Sequence, residues 1–236
     1  MPKGLPEWFI LAINREQMAE LPDWFKKAIR EEQRVEDEDP ELVERHQAKA
    51  EGGFTEQLMS TIRSKEAPRF GYDSWFGRGT SRGPVSPPKS PTQMTVNEVL
   101  EWQNTHNPAG PETTAIGAYQ IVDQPNARTL SGLVKRMGLT GDELFTPQLQ
   151  DEMALNLLKG RGLDKFLSGD LDADSFANKV AREWASLPVL KEDRRRGRTI
   201  KIGQSYYSGD GINKAFRGKK QLEEYQELYA LADLGG

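Results

Sequence analysis

The sequence predicts a mainly α fold, a helical domain with at most a small β-hairpin, joined to a helical N-terminal extension. Three observations carry this expectation. Apolar residues recur at helical spacing, as in Phe54, Leu58 and Ile62. Helix start and stop signals punctuate the chain: Thr95-Val96-Asn97-Glu98 is a capping box, Thr146-Pro147 an N-terminal cap, and Gly138 and Gly160 are stops. Long stretches between these segments are rich in glycine and proline, which leaves little chain for a large sheet.

Residues 1–53 form the predicted extension and residues 54–236 the main domain. In the extension, Trp24, Phe25, Ala28 and Ile29 share one helical face, and Glu36-Asp37-Glu38-Asp39-Pro40 interrupts it. A second polar helix over about 41–50 is expected to end at Gly52-Gly53. In the main domain the first helix ends near Glu66, because Pro68 disfavours helical backbone at Ala67. A loop-like stretch over 67–93 follows, in which Tyr72, Trp75 and Phe76 supply aromatic surface. Helices are then expected from Val96 to about Asn104, over Thr129–Met137, from Pro147 to about Lys159, over Asp174–Ala185 and over about 218–232. His106–Pro111 reads as a turn, Ala115–Val122 as a strand or tight loop, and 189–202 as a strongly charged stretch.

Composition excludes several chemistries. There is no cysteine among the 236 residues, so neither a disulfide framework nor a thiolate metal site is available. The two histidines, His46 and His106, lack metal-ligand spacing, so no metal and no cofactor is expected. No Gly-x-Ser-x-Gly elbow or phosphate loop occurs. Residues 1–56 hold eight Lys or Arg against fourteen Asp or Glu, a net of −6, while 57–236 are near neutral at +2. A nucleic-acid partner is therefore not expected, and the acidic front points to a protein partner or a solvated arm. The apolar run Trp8–Ile13 is too short for a signal core or a membrane span. Asp170, Asp172 and Asp174 mimic the opening of a calcium loop, but Ser175 and Ala181 stand at its required glycine and glutamate; a helix N-cap explains these acids better.

Four places remain as candidates for chemistry. Glu66 sits at a helix C-terminus, where the dipole disfavours an anion and raises a carboxyl pKa. Such a carboxyl is suited to general-acid work, or is a solvated surface residue. In Ala115-Ile116-Gly117-Ala118-Tyr119-Gln120-Ile121, Gly117 allows close backbone approach, Tyr119 offers a flat face and Gln120 both donors and acceptors. The same run also reads as a buried strand. Ser186, in Trp184-Ala185-Ser186-Leu187-Pro188, faces a cleft or merely follows a core tryptophan. Tyr206 and Tyr207 line a saccharide groove or belong to an ordinary turn.

Taken in order, Glu66-Ala67-Pro68, Gly71-Tyr72-Asp73, Gly77, Ala115–Ile121, Leu144-Phe145-Thr146-Pro147, Gln150-Asp151, Leu157-Leu158, Arg161-Gly162 and Trp184–Pro188 form a series. Over roughly 54–215 it resembles the phage lambda endolysin family of lytic transglycosylases, within the lysozyme-like superfamily. The chain departs from that pattern at Ala67-Pro68, where many relatives have glycine, and at Ala118, where arginine is common. The resemblance implies an α+β lysozyme-like fold and a peptidoglycan glycan strand as substrate. It implies that Glu66 is the single acid/base, and that Tyr119, Gln120 and the Ser186 region help bind the sugar chain; by residue type, Tyr72, Gly117, Tyr206 and Tyr207 are further candidates for contacting it. The product would be a 1,6-anhydro sugar; the competing reading is a muramidase that uses water, with Asp73 as second carboxylate. A non-catalytic peptidoglycan-binding tail component is the alternative of a different class. Small endolysins have no counterpart of residues 1–50. This extension is expected to dock the enzyme to virion tail proteins through Trp8, Trp24 and Phe25, after synthesis in the host cytoplasm without a signal peptide, for action in the host cell wall.

Overall fold

The computed structural model describes residues 40–77, 86–105, 113–124, 127–208 and 219–233. Trp8, Trp24, Phe25 and the His106–Pro111 turn lie outside the described residues. Among the described residues there are seven α-helices: α1 Pro40–Glu66, α2 Val96–Thr105, α3 Thr129–Met137, α4 Pro147–Arg161, α5 Leu163–Leu167, α6 Ala173–Ala181 and α7 Lys219–Asp233. The strands are short and form two antiparallel pairs, β1 Asp123–Gln124 with β2 Ala127–Arg128, and β3 Asp193–Arg195 with β4 Arg198–Ile200. The class is mainly α, as the sequence predicts.

The core is built around the second half of α1. Leu58 and Ile62 are fully buried and Phe54 nearly so. Phe54 meets Phe166 of α5, Phe176 of α6 and Tyr229 of α7, with ring centroids 5.1, 6.4 and 5.5 Å away. This cluster explains a difference from the sequence expectation. Gly52-Gly53 do not stop a helix; α1 runs through them. A glycine inside a helix costs about 1 kcal/mol. Burying each of Phe54, Leu58 and Ile62 contributes about 1.5–3 kcal/mol, so tertiary packing wins over local propensity.

Local signals hold at several ends. At the start of α2, Thr95 Oγ1 accepts from Glu98 N at 3.2 Å while Glu98 Oε2 accepts from Thr95 N at 2.8 Å, the reciprocal pair of a capping box. Thr146 caps α4 by accepting from Leu149 N. Asp172 caps α6 by accepting from Ser175 N, which gives that acid the cap role rather than a calcium role.

Two helix ends move. α4 passes Gly160 and stops at Gly162, which takes φ 101° and starts the turn into α5. Burial of Leu163 and Phe166 selects the second glycine over the first. α6 ends at Ala181 rather than Ala185: Arg182 N and Glu183 N bond back to Lys179 O and Val180 O, the tighter i−3 turn that closes the helix. The charged stretch over 189–202 contains the β3–β4 hairpin. Its turn residues Arg196 and Gly197 have φ of 52° and 77°, the left-handed pair that suits a two-residue hairpin loop.

Candidate active site

Glu66 is the last residue of α1. Ala67 N still bonds Arg63 O at 2.9 Å, and Pro68 then blocks further helix. Glu66 is therefore in the last turn of the helix, whose carbonyls lack intrahelical partners. Its Oε1 accepts from Ser186 Oγ at 2.6 Å and from Ser186 N at 3.2 Å. Dense surrounding protein pushes the carboxyl pKa up, and the two Ser186 donors pull against that shift. The residue as a whole keeps intermediate exposure.

Ser186 is held from two sides. Trp184, 3% exposed, donates its indole N–H to Tyr119 O at 3.1 Å. Ser205 Oγ donates to Ala185 O at 2.6 Å. The turn that meets Glu66 is thus tied to the 116–121 turn and to the tyrosine loop.

The Ala115–Ile121 segment is a tight turn, with Ile116 and Ile121 exchanging backbone hydrogen bonds at 3.0 and 2.9 Å. Gly117 is needed for packing. It has φ 80°, and a Cβ there would lie 2.4 Å from Gln150 Oε1 and 2.9 Å from Phe145 Cε1. Gln150 clamps the turn: its Oε1 accepts from Ala118 N, and its Nε2 donates to Tyr72 O and Phe145 O. Gly117→Ala is expected to destabilise the protein by about 1–3 kcal/mol, from left-handed backbone strain plus the clash with Gln150, read as a lower urea midpoint.

The side chains around this turn are largely committed to one another. Tyr119 is 1% exposed. Its hydroxyl donates to Asp151 Oδ1 at 2.6 Å and accepts from Arg63 Nη1 at 2.8 Å. Burial first, and Asp151 second, raise the Tyr119 pKa, so the hydroxyl keeps its proton. Tyr72 donates to both Asp151 oxygens at 3.0 Å. The network Arg63–Tyr119–Asp151–Tyr72 begins one helical turn before Glu66. Arg63, Gln150 and Asp151 are missing from the sequence-derived candidates. Arg63 and Asp151 are 88 positions apart, and nothing in local spacing reports such a pair.

The predicted site residues thus fall into groups. Glu66 and Ser186 touch directly. Gly117, Tyr119 and Gln120 share one turn; Tyr119 forms its buried wall, and Gln120, at φ 48°, donates its Nε2 to Gly117 O at 2.8 Å. Tyr206 is 3% exposed and bonded through its hydroxyl to Asp193, so it lies beneath the hairpin rather than on an open groove. Tyr207 is partly exposed, and its hydroxyl donates to Arg182 O at 2.8 Å. Asp73 Oδ1 accepts from Thr92 N and Thr92 Oγ1 at 3.0 and 2.8 Å, which gives it a structural post at the Pro91–Gln93 turn. Among the described residues no three His, Asp or Glu side chains converge as a metal site.

A protein-family model described as Endolysin matches residues 99–212. The matched stretch carries Gly117, Tyr119, Gln120, Ser186, Tyr206 and Tyr207, and begins after Glu66 and Tyr72. Neither the curated proteins nor the solved structures gave a match. Residues 99–212 are thus similar to the family described as Endolysin.

Proposed function

We propose that this protein is a lytic transglycosylase that cleaves the β-1,4 bond between N-acetylmuramic acid and N-acetylglucosamine, with Glu66 as its single acid/base. The observation that carries the reading is the Glu66 carboxyl itself, closely surrounded at a helix C-terminus and held through Oε1 by Ser186. Both Ser186 bonds go to Oε1, so Oε2 is the oxygen that works on the sugar. Protonated Glu66 gives its proton to the glycosidic oxygen, the C1–O bond breaks, and N-acetylglucosamine leaves as an alcohol. The C6 hydroxyl oxygen of the muramic ring bonds to C1, and its proton returns to the Glu66 carboxylate. Between the two transfers the carboxylate is an anion in a packed place, and the Ser186 donors stabilise it there. The cycle closes with no water consumed and no second carboxylate.

Mass spectrometry of digested sacculi tests this directly. The expected products end in 1,6-anhydro muramic acid. Products heavier by one water, with a reducing end, would assign the water-using muramidase mechanism instead.

The extension is proposed to carry the enzyme in the virion tail, for use at the host wall after synthesis in the host cytoplasm. Support comes from its acidic charge and from the apolar Trp8, Trp24 and Phe25. Because α1 starts at Pro40, the informative deletion removes residues 1–39. The truncated protein is expected to digest sacculi normally and to be missing from purified particles; lost digestion with normal incorporation sinks the docking role.

A further inference from the structure

The β3–β4 hairpin concentrates positive charge. Residues 191–201 hold six Lys or Arg against two Asp or Glu, a net of +4 in a chain whose overall net is −4. Side chains alternate across a strand, so the pairing register sorts these charges by face. Arg195 and Arg198 lie on the face toward the tyrosine loop, with Arg198 still exposed. The Arg195 guanidinium lies 4.4 Å from the Tyr207 ring centroid and 5.7 Å from that of Tyr206, and Arg198 Nη2 donates to Tyr206 O at 3.2 Å. Arg194 is on the other face, Arg196 is at the turn and Lys201 follows β4; all three are exposed.

Hydrogen bonds connect this surface to the site. The tyrosine loop beneath it is tied to the turn that presents Ser186, through Ser205 Oγ to Ala185 O at 2.6 Å and Tyr207 to Arg182 O at 2.8 Å. Arg195 Nη1 is itself buried with no hydrogen-bond partner among the described residues, so contact with a ligand falls to the exposed Arg194, Arg196 and Lys201 around it.

We propose that this hairpin binds the carboxylates of the peptide stems that a peptidoglycan strand carries beside the glycan held at Glu66. The proposal rests on the peptidoglycan reading above for the polymer, and not on the chemistry of Glu66. A glycan strand alone offers hydroxyls and amides, while its stems carry free carboxylates at regular intervals. The exposed guanidinium groups of Arg194 and Arg196 present paired donors that match a carboxylate, while Arg195 packs on the Tyr207 ring beneath them. Exposed Arg194, Arg196 and Lys201 add longer-range attraction that salt screens.

The test is sedimentation of the full chain carrying Glu66→Gln, which spares the polymer, with intact sacculi and with sacculi stripped of stems by an amidase. Binding to intact sacculi at low salt is expected to be about threefold to tenfold tighter than to stripped sacculi. The difference is expected to vanish in roughly 0.5 M salt and on adding Arg194→Glu with Arg196→Glu. If that charge reversal lowers the thermal midpoint, Arg194→Gln with Arg196→Gln replaces it. Equal binding to both polymers by the parent, or a preference that survives the substitutions, overturns the proposal. A charge-reversal effect on vesicles of anionic phospholipid, absent with sacculi, overturns it too. Failure of the cleavage reading registers separately, as wild-type protein that releases no muropeptides, and leaves this comparison standing.

Discussion

Glu66→Gln is expected to slow release of soluble muropeptides from sacculi by about a hundredfold to ten-thousandfold, the usual worth of a positioned general acid. The amide fills the same space and still accepts from Ser186 Oγ and N, so the fold is retained. Wild type and variant clearing wall suspensions equally poorly would remove the enzymatic reading and leave a binding protein. The same substitution has a second, independent readout in stability. Burial raises the Glu66 pKa in the folded protein above its ordinary value. Between those two values the folded state holds a proton that the unfolded chain has released, so wild-type stability falls as pH rises through that window. Below the window both states are protonated and the penalty is gone; above it the penalty is complete. Glutamine cannot ionise. The variant should therefore unfold at a higher temperature than wild type at neutral pH, and the gap should close in acid. Matching melting curves at every pH would mean that the carboxylate is well solvated, and would weaken the general-acid assignment at its root.

Trp184→Ala is expected to cost about 3–5 kcal/mol of stability, the range for truncating a buried large aromatic. Trp184 is 3% exposed, so most of its surface is lost from the core. The effect should reach beyond stability. The indole N–H holds Tyr119 O, and Ser186 lies two residues further along the same turn. Without that anchor Ser186 loses its fixed position against Glu66, and turnover should fall even under conditions where the variant is fully folded. Trp184→Phe separates the two contributions. It retains most of the apolar area but leaves Tyr119 O without its donor, a loss of about 1–3 kcal/mol. Urea midpoints and turnover measured on both variants check this; normal turnover by folded Trp184→Ala would show that Ser186 is positioned by Ser205 and its neighbours alone.

The residues that were legible and those that were not differ in a consistent way. Glu66 at a helix end, the Thr95–Glu98 capping box, the Thr146 cap and the Thr129–Met137 helix follow from short-range rules: periodicity, side-chain capping and the steric effect of Pro68. Gly52-Gly53 and Gly160 were misleading because local propensity is worth about 1 kcal/mol and packing of Phe54 or Leu163 exceeds it. The β3–β4 hairpin hides in a run of arginines, since its only buried apolar strand residue is Ile200. Tyr119 and Tyr206 look like ligand surfaces by residue type, yet their hydroxyls are spent on Asp151 and Asp193.

By itself the sequence determined the helical class, the helix-terminal position of Glu66 and the exclusion of thiolate chemistry. It also contained the ordered series that pointed toward peptidoglycan. Each of these depends on residues close in the chain or on composition. Tertiary structure alone decided what surrounds Glu66. Ser186 is 120 positions away, and it reaches the carboxyl from a turn that Trp184 and Ser205 tie to two other segments. A hydrogen bond across that separation leaves no periodic trace, because its geometry is set by the packing of the whole core and not by the residues on either side of it.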